Sequence, residues 1–456
     1  MSASFDPAVY RGVRVVVLGG GGFIGRHVVD RLVAYGAAPI LLTRSKPRLY
    51  ASWRGRVVVY DEPITSLKAV SEALANCFAF NEAAVVINLA AAGVLPGKRD
   101  GNAMSAANGL LAETIATTTG ELCAELPAAW PGVSLLHVGS ALEYGTRAQN
   151  LDEAAKASPD EPYGRSKLRG TEAVLRARAE HGLSALVVRP FTVFGPGEPA
   201  SRLLSTLISR AGDDRPIELS AGTQSRDIAY VEDVAEGIVR LAASPRKAVA
   251  KGEGPFDAGV VNLATGASVS IKDFVLAAAK EFFLDEGRLR FGALPPRDDD
   301  TDHPPTPIAR LGAATGGFAL NADPAAGLRR THRRLLASLY EPAPQADEKA
   351  KEPARGRDGS DPEQGPGGKS DRRAQEGRTE RRSDRRPDAP NAPNQGRSDG
   401  RGNRDSAGDR GGRPDRRPRQ DRPQGQNRPA RAERPPRPPE TPAPEAGPVE
   451  PPPNPV

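Results

Sequence analysis

The chain has 456 residues, with 63 Lys and Arg against 57 Asp and Glu, 48 Gly, 44 Pro and two Cys. Two cysteines exclude a disulfide framework and a Cys-rich zinc site, and five His without ligand spacing point to no metal. The net charge of +6 is uneven: residues 341–456 hold 25 Lys and Arg against 21 Asp and Glu, so the first 340 residues are near neutral and carry no electrostatic case for binding nucleic acid.

Arg14–Leu18 reads as a buried strand, followed by a glycine run and then a helical pattern in which Ile24, Val28, Val29, Leu32 and Val33 share one face. Gly19, Gly22 and Gly25 fit G-x-x-G-x-x-G, with Phe23 and Ile24 inside the motif. Glycine permits the tight turn, close approach of backbone to a pyrophosphate and close helix–strand packing, while the helix N-terminus offers unpaired N–H groups. Pro39–Leu42 is a second strand, and Arg44 and Ser45 follow it where an NAD site usually carries an acid. An Arg there suits the 2′-phosphate of NADP, so NADP is preferred and NAD is the alternative. Arg56–Tyr60 is a third strand; Asp61 beyond it reads either as an acceptor for the adenine amino group or as a turn cap.

Ala84–Leu89 is a fourth strand, a long helix is expected from about Ser105 to Glu125, and Ser134–Val138 is a fifth strand. A helix near Tyr163–His181 and a sixth strand, Ala185–Arg189, complete a βαβ alternation that predicts an α/β fold: a Rossmann-like, doubly wound parallel sheet over residues 12–190. After Pro190 the elements are short. Ser201–Arg210, Asp233–Leu241, Ile271–Phe283 and Thr331–Tyr340 read as helical, and Pro216–Leu219, Arg226–Tyr230, Val260–Leu263 and Arg288–Phe291 as extended. They suit a smaller substrate-binding α/β subdomain over 191–340, with some return to the main sheet. Residues 341–456 contain no Leu, Ile, Met, Phe, Tyr or Trp, and a disordered tail is expected there.

Tyr163 and Lys167 stand at i and i+4, on one helix face. A nearby ammonium stabilises a phenolate and turns a weak acid into a proton-transfer group. Ser140 ends the fifth strand, where open α/β sheets bind ligands, and its hydroxyl suits the reacting oxygen. Glu143 reads either as a solvated helix-start carboxylate or as a substrate contact.

With these motifs in order, the chain resembles the extended short-chain dehydrogenase/reductases, the NAD-dependent epimerase/dehydratase group acting on nucleotide sugars, over about Arg14–Tyr340. The resemblance implies that Leu89, Ala90 and Ala91 line the nicotinamide and that Asn108 stands behind the active site. It implies that Ser140, Tyr163 and Lys167 are catalytic. Arg189–Gly197 (R-P-F-T-V-F-G-P-G) resembles the segment that places Pro190 and Val193 at the cofactor and Thr192 at the substrate; Thr192 and Phe194 depart from its usual residues. Arg226 and Arg297 resemble the arginines that hold the nucleotide diphosphate, and a homodimer is implied.

Ala141 and Leu142 carry neither the acid nor the base that a 4,6-dehydratase needs. The expected activity is therefore NADPH-dependent reduction of a 4-keto-6-deoxy nucleotide sugar, with an NAD-dependent 4-epimerase as the alternative. A reading from another class makes the protein a scaffold or nucleic-acid binder acting through its Arg- and Pro-rich tail. The interleaved acids and missing aromatics argue against nucleic acid, while Pro435–Pro439 suits a polyproline segment docking a protein partner. The N-terminus has no basic and apolar leader pattern and no apolar run reaches membrane-spanning length, so a cytoplasmic protein is expected.

Overall fold

The computed structural model describes residues 5–45, 47, 50–81, 83–94, 100–122, 129–297 and 300–340. The expected tail at 341–456 lies outside the described residues, as do Lys46 and Cys123. The described residues belong to one compact unit, Met1–Arg355. Among them no helix is long and apolar enough to cross a membrane.

Seven parallel strands form the central sheet: β1 (Arg14–Leu18), β2 (Ala38–Leu42), β3 (Val58–Val59), β4 (Val85–Asn88), β5 (Leu135–Val138), β6 (Ala185–Pro190) and β11 (Val260–Leu263). Their order is β11-β6-β5-β4-β1-β2-β3, so the chain reverses direction across the sheet between β1 and β4. A crevice for ligands opens at such a switch point, beyond the strand C-termini. β1 is apolar on both faces because both are covered. Val15 and Val17 face one core with Val28, Val29 and Leu32, while Val16 and Leu18 face the other with Val70, Leu74 and Phe78.

Helix α1 (Phe23–Ala34) packs against α7 (Val231–Ala242) on the first face. On the second face lie α2 (Leu67–Asn81), α4 (Leu111–Glu121) and α5 (Pro162–His181). The short α3 (Gly101–Met104) starts at Asp100, whose side chain accepts from Asn102 N at 2.9 Å. The helix expected over 105–125 is interrupted: residues Ser105–Leu110 form a π-helical turn before α4. The third strand is shorter than Arg56–Tyr60, because Arg56 and Val57 both donate to Trp53 O at 3.0 Å and only Val58–Val59 remain to pair with Ile40–Leu41.

Past Pro190 the elements are β7 (Thr192–Phe194), α6 (Leu203–Ser209), β8 (Ile217–Leu219), β9 (Ser225–Arg226), β10 (Ile228–Tyr230), α8 (Arg246–Lys251), β12 (Val269–Ser270), α9 (Ile271–Glu281), β13 (Leu289–Phe291), α10 (Ala309–Thr315) and α11 (Pro324–Tyr340). They make three two-stranded pairings, β7–β10, β8–β13 and β9–β12. The strand expected over Arg226–Tyr230 is broken at Asp227. Its buried carboxylate accepts instead from Thr265 N at 2.9 Å and Gly266 N at 2.8 Å, fixing the turn after β11.

Candidate active site

The turn from β1 to α1 leaves no room for side chains. A Cβ on Gly19, at φ +77°, would stand 2.7 Å from Ala90 N and from the Leu89 carbonyl carbon, and one on Gly25 would collide with Gly19 O. Gly22 caps α1 with no side-chain partner, and its own N–H donates to Gly19 O at 3.0 Å. The first N–H groups of α1 thus open onto a bare, glycine-walled cradle. Phe23 and Ile24 are half-buried in the first turn. Arg44 and Ser45 are exposed just past β2, and Pro47 brings that segment to 3.5 Å from where a Gly21 Cβ would be. Asp61 is exposed beyond β3.

The loop after β4 links the cradle to the fifth-strand site. Ala90 N donates to Asn88 Oδ1 at 3.1 Å, and Asn88 Nδ2 meets His137 Nδ1 at 3.0 Å. Leu89 is half-buried and Ala91 exposed. Gly93 reaches the far side: a Cβ there would collide with Met104 and stand 3.6 Å from Tyr163 Cδ2. Asn108, fully buried in the π-helical turn, fastens this loop to α5. Its Oδ1 accepts from Ala92 N at 2.9 Å, and its Nδ2 donates to Ala92 O and to Ser166 Oγ, each at 2.9 Å. A π-turn sets a side chain out of α-helical register, and such turns recur at functional sites.

Ser140 caps the short turn Ala141–Glu143, its Oγ accepting from Leu142 N at 3.2 Å, which leaves the hydroxyl proton available to a ligand. Tyr163 follows Pro162 in the first turn of α5 and is nearly buried. Lys167, one turn on, is 2% exposed and donates from Nζ to Val138 O at 2.5 Å. Burial pushes its ammonium down to about 8 from the usual 10.5, against the opposing pull of Glu143. Burial also holds His137 well below 6.5, with Lys167 adding to the fall, so the imidazole is neutral.

Glu143 is not the solvated carboxylate that a helix start suggests. It is fully buried, Oε1 accepting from Ser140 N at 2.8 Å and Oε2 from Thr171 Oγ1 and Arg189 Nε at 2.9 Å each. The sequence pattern concealed this because Arg189 is remote in the chain. Pro190 ends β6, and the Val193 side chain packs into the main core, whereas Thr192 is half-buried and its N–H donates to Asp227 O at 3.0 Å.

The two arginines expected at the diphosphate are close enough to act on one another. Burial lowers Arg226, Asp300 raises it, and the charges of Arg297 and Arg202 lower it again. Arg226 is gripped by the Asp300 carboxylate, which also accepts from Gln224 Nε2 at 2.6 Å. Arg202, missed in the sequence, caps the start of α6, and its guanidinium lies 5.9 Å from the Phe23 ring at the cradle. Its position before an apolar helical run was the available signal. At the same junction, Arg26 and His27 of α1 both meet Pro196 O, the latter at 3.1 Å. Among the described residues no group of three or more His, Cys, Asp or Glu is arranged to hold a metal ion.

The parallel sheet with its switch point and the glycine cradle at the β1–α1 turn define a Rossmann-like fold. The family described as "NAD dependent epimerase/dehydratase family" matches residues 15–259, and the chain belongs to it. It is 29% identical over 330 residues to a dTDP-6-deoxy-L-talose 4-dehydrogenase (NAD(P)(+)) of Kitasatospora kifunensis, covering 71% of this chain and 94% of that one. It is 28% identical over 245 residues to a probable UDP-glucuronate 4-epimerase of Rhizobium meliloti, covering 51% and 69%. Among solved structures, MoeE5 in complex with UDP-glucuronic acid and NAD superposes with a TM-score of 0.55 at 24% identity, over 71% of this chain and 99% of that one. The UDP-glucose 4-epimerase of Thermotoga maritima does so with a TM-score of 0.59 at 19% identity, over 72% and 100%. These structural likenesses establish the fold.

Proposed function

We propose that the protein is an NADPH-dependent reductase of a 4-keto-6-deoxy nucleotide sugar. The observation that carries this reading is the start of α5: Tyr163 and buried Lys167 one turn apart, with Lys167 Nζ donating to Val138 O two residues before Ser140. The relative named a dTDP-6-deoxy-L-talose 4-dehydrogenase supports it, because a dehydrogenase acting at C4 is, in reverse, a 4-ketone reductase.

The cradle fits a dinucleotide pyrophosphate, since the Gly19 and Gly25 positions admit only bare backbone beside the α1 N-terminus. When bound, the nicotinamide supplies the hydride. Tyr163 donates the proton to the ketone oxygen, Ser140 hydrogen-bonds the same oxygen, and the Lys167 ammonium stabilises the phenolate left behind. Loop residues Leu89–Ala91 flank the nicotinamide side. Arg226, Arg297 and Arg202 hold the diphosphate, two-pronged donors meeting a doubly charged group.

Arg44 and Ser45, in place of a strand-end acid, support NADP over NAD. The 4-epimerase reading rests on the relative of that name. It would use the same Tyr163 to remove a proton and return it. A homodimer is part of the proposal and is checked by solution mass. Cofactor choice is tested by identifying the nucleotide released from purified protein and by Arg44→Ala. The expected result is at least tenfold weaker NADPH binding with NADH binding little changed; equal weakening of both refutes the NADP assignment.

A further inference from the structure

Beneath the site, Glu143 is the only carboxylate seated among Ser140, Thr171 and Arg189 within the described residues, and all its partners are donors. It closes a capping box with Ser140, whose hydroxyl takes Leu142 N while its N–H binds Glu143 Oε1. Gly139 makes room: a Cβ there would collide with Glu143 Oε1. Arg189 anchors the other oxygen from β6, its side chain 4% exposed, with its guanidinium 4.4 Å from the Tyr144 ring centroid. Tyr144 in turn donates to Asn262 Oδ1 at 2.9 Å on β11. An acid buried this completely is costly unless each lone pair is used and its charge is paired.

We propose that Glu143 is the positioning residue of the active site, fixing the Ser140 backbone through Oε1 and supplying the negative charge that Lys167 faces. The two roles come from one carboxylate held at the junction of β5, β6 and α5. Two further titratable side chains share Lys167's surroundings: His137, from β5, and Tyr163, one turn earlier on its own helix. His137 is neutral, and the π-turn and α4 present Asn108 and Ala112 to this face of α5, neither of them charged. From the turn after β5, Glu143 provides the favourable field on the ammonium, offsetting part of its burial. Replacing it by Gln keeps the shape, removes that field and turns an amide N–H₂ toward the donors of Thr171 and Arg189.

The test reads Lys167 directly, by chemical unfolding of wild type, Lys167→Met, Glu143→Gln and the double variant from pH 5.5 to 10.5. The difference between wild type and Lys167→Met isolates the lysine. A buried amine with a lowered pKa destabilises the fold fully below that pKa, and the penalty shrinks above it. In wild type the shrinkage begins near pH 8. In the Glu143→Gln background it begins at least one pH unit lower. The same onset in both backgrounds overturns the proposal. If Glu143→Gln alone folds too poorly, Glu143→Gln/Arg189→Gln removes the stranded guanidinium, and the onset stays low. Its return to pH 8 would show that Glu143 serves only to pair Arg189.

A second arm rests on the proposed reductase reading: Glu143→Gln lowers kcat at least tenfold with KM within twofold, because Glu143 is buried with both oxygens taken by protein donors. A raised KM with unchanged kcat overturns the positioning role. If no variant, wild type included, reduces the sugar, the functional reading fails and the unfolding arm still decides the Glu143 inference.

Discussion

At the residue scale, the buried ammonium of Lys167 is expensive to the fold, and that cost is measurable. Lys167 is buried with its pKa lowered to about 8, so the unfolded chain binds more protons between pH 8 and 10.5 and stability rises across that window. Lys167→Met is expected to raise the unfolding free energy at pH 7 by on the order of 1–3 kcal/mol while abolishing turnover, a trade checked by denaturant titration beside an activity assay. The same pKa sets a limit on catalysis. The ammonium persists below about pH 8 and is lost above it, so the reduction rate should decline on the alkaline side. Tyr163→Phe should remove turnover and leave nucleotide binding nearly intact; retained turnover would refute proton transfer by that hydroxyl. Gly25→Ala must push against Gly19 O, and nucleotide affinity measured by fluorescence should fall at least tenfold.

At the element scale, the site hangs on turns rather than on regular structure. Asn108 joins the β4 loop to α5 through three hydrogen bonds made possible by the π-turn. Asn108→Ala should cost about 1–3 kcal/mol, since it orphans Ala92 and Ser166 groups, and it should loosen amide-exchange protection over Ala90–Gly93. These elements also show where sequence reading succeeded and where it stopped. β1, β4, β5 and β6 were legible because buried parallel strands are short and largely apolar, rich in Val, Leu and Ile. β3 was overestimated because edge residues Arg56 and Val57 have a turn carbonyl to bond instead. The π-turn was invisible, since a switch from i→i−4 to i→i−5 bonding over Ser105–Leu110 has no residue signature of its own. Helix α2 was not singled out, although Val70, Leu74, Cys77 and Phe78 make a buried face at helical spacing.

At the scale of the whole molecule, strand order brings together residues far apart in sequence. Gly19, Ala90, Ser140 and Tyr163 come from four separate segments, and all lie near the C-terminal ends of β1, β4 and β5. The glycine cradle was legible because it has a local motif, and the proposed trio of Ser140, Tyr163 and Lys167 rests on local motifs too. The environment of Glu143 was not, because Arg189 and Thr171 reach it only through tertiary packing. Arg202 carried a weak positional signal that becomes informative once Arg226 and Arg297 are seen to share its field. The residues at 341–456 bear on the competing scaffold reading. Truncation after Tyr340 is expected to leave kcat and KM unchanged; loss of turnover on truncation would give the tail a part in catalysis. The reductase assignment meets its sharpest test when a nucleotide-linked 4-keto-6-deoxy sugar and NADPH are supplied to the purified full-length protein and nicotinamide absorbance is followed. Stoichiometric NADPH consumption that Tyr163→Phe abolishes is expected. Tightly bound NAD, no NADPH consumption and inversion of a 4-hydroxyl sugar would contradict it.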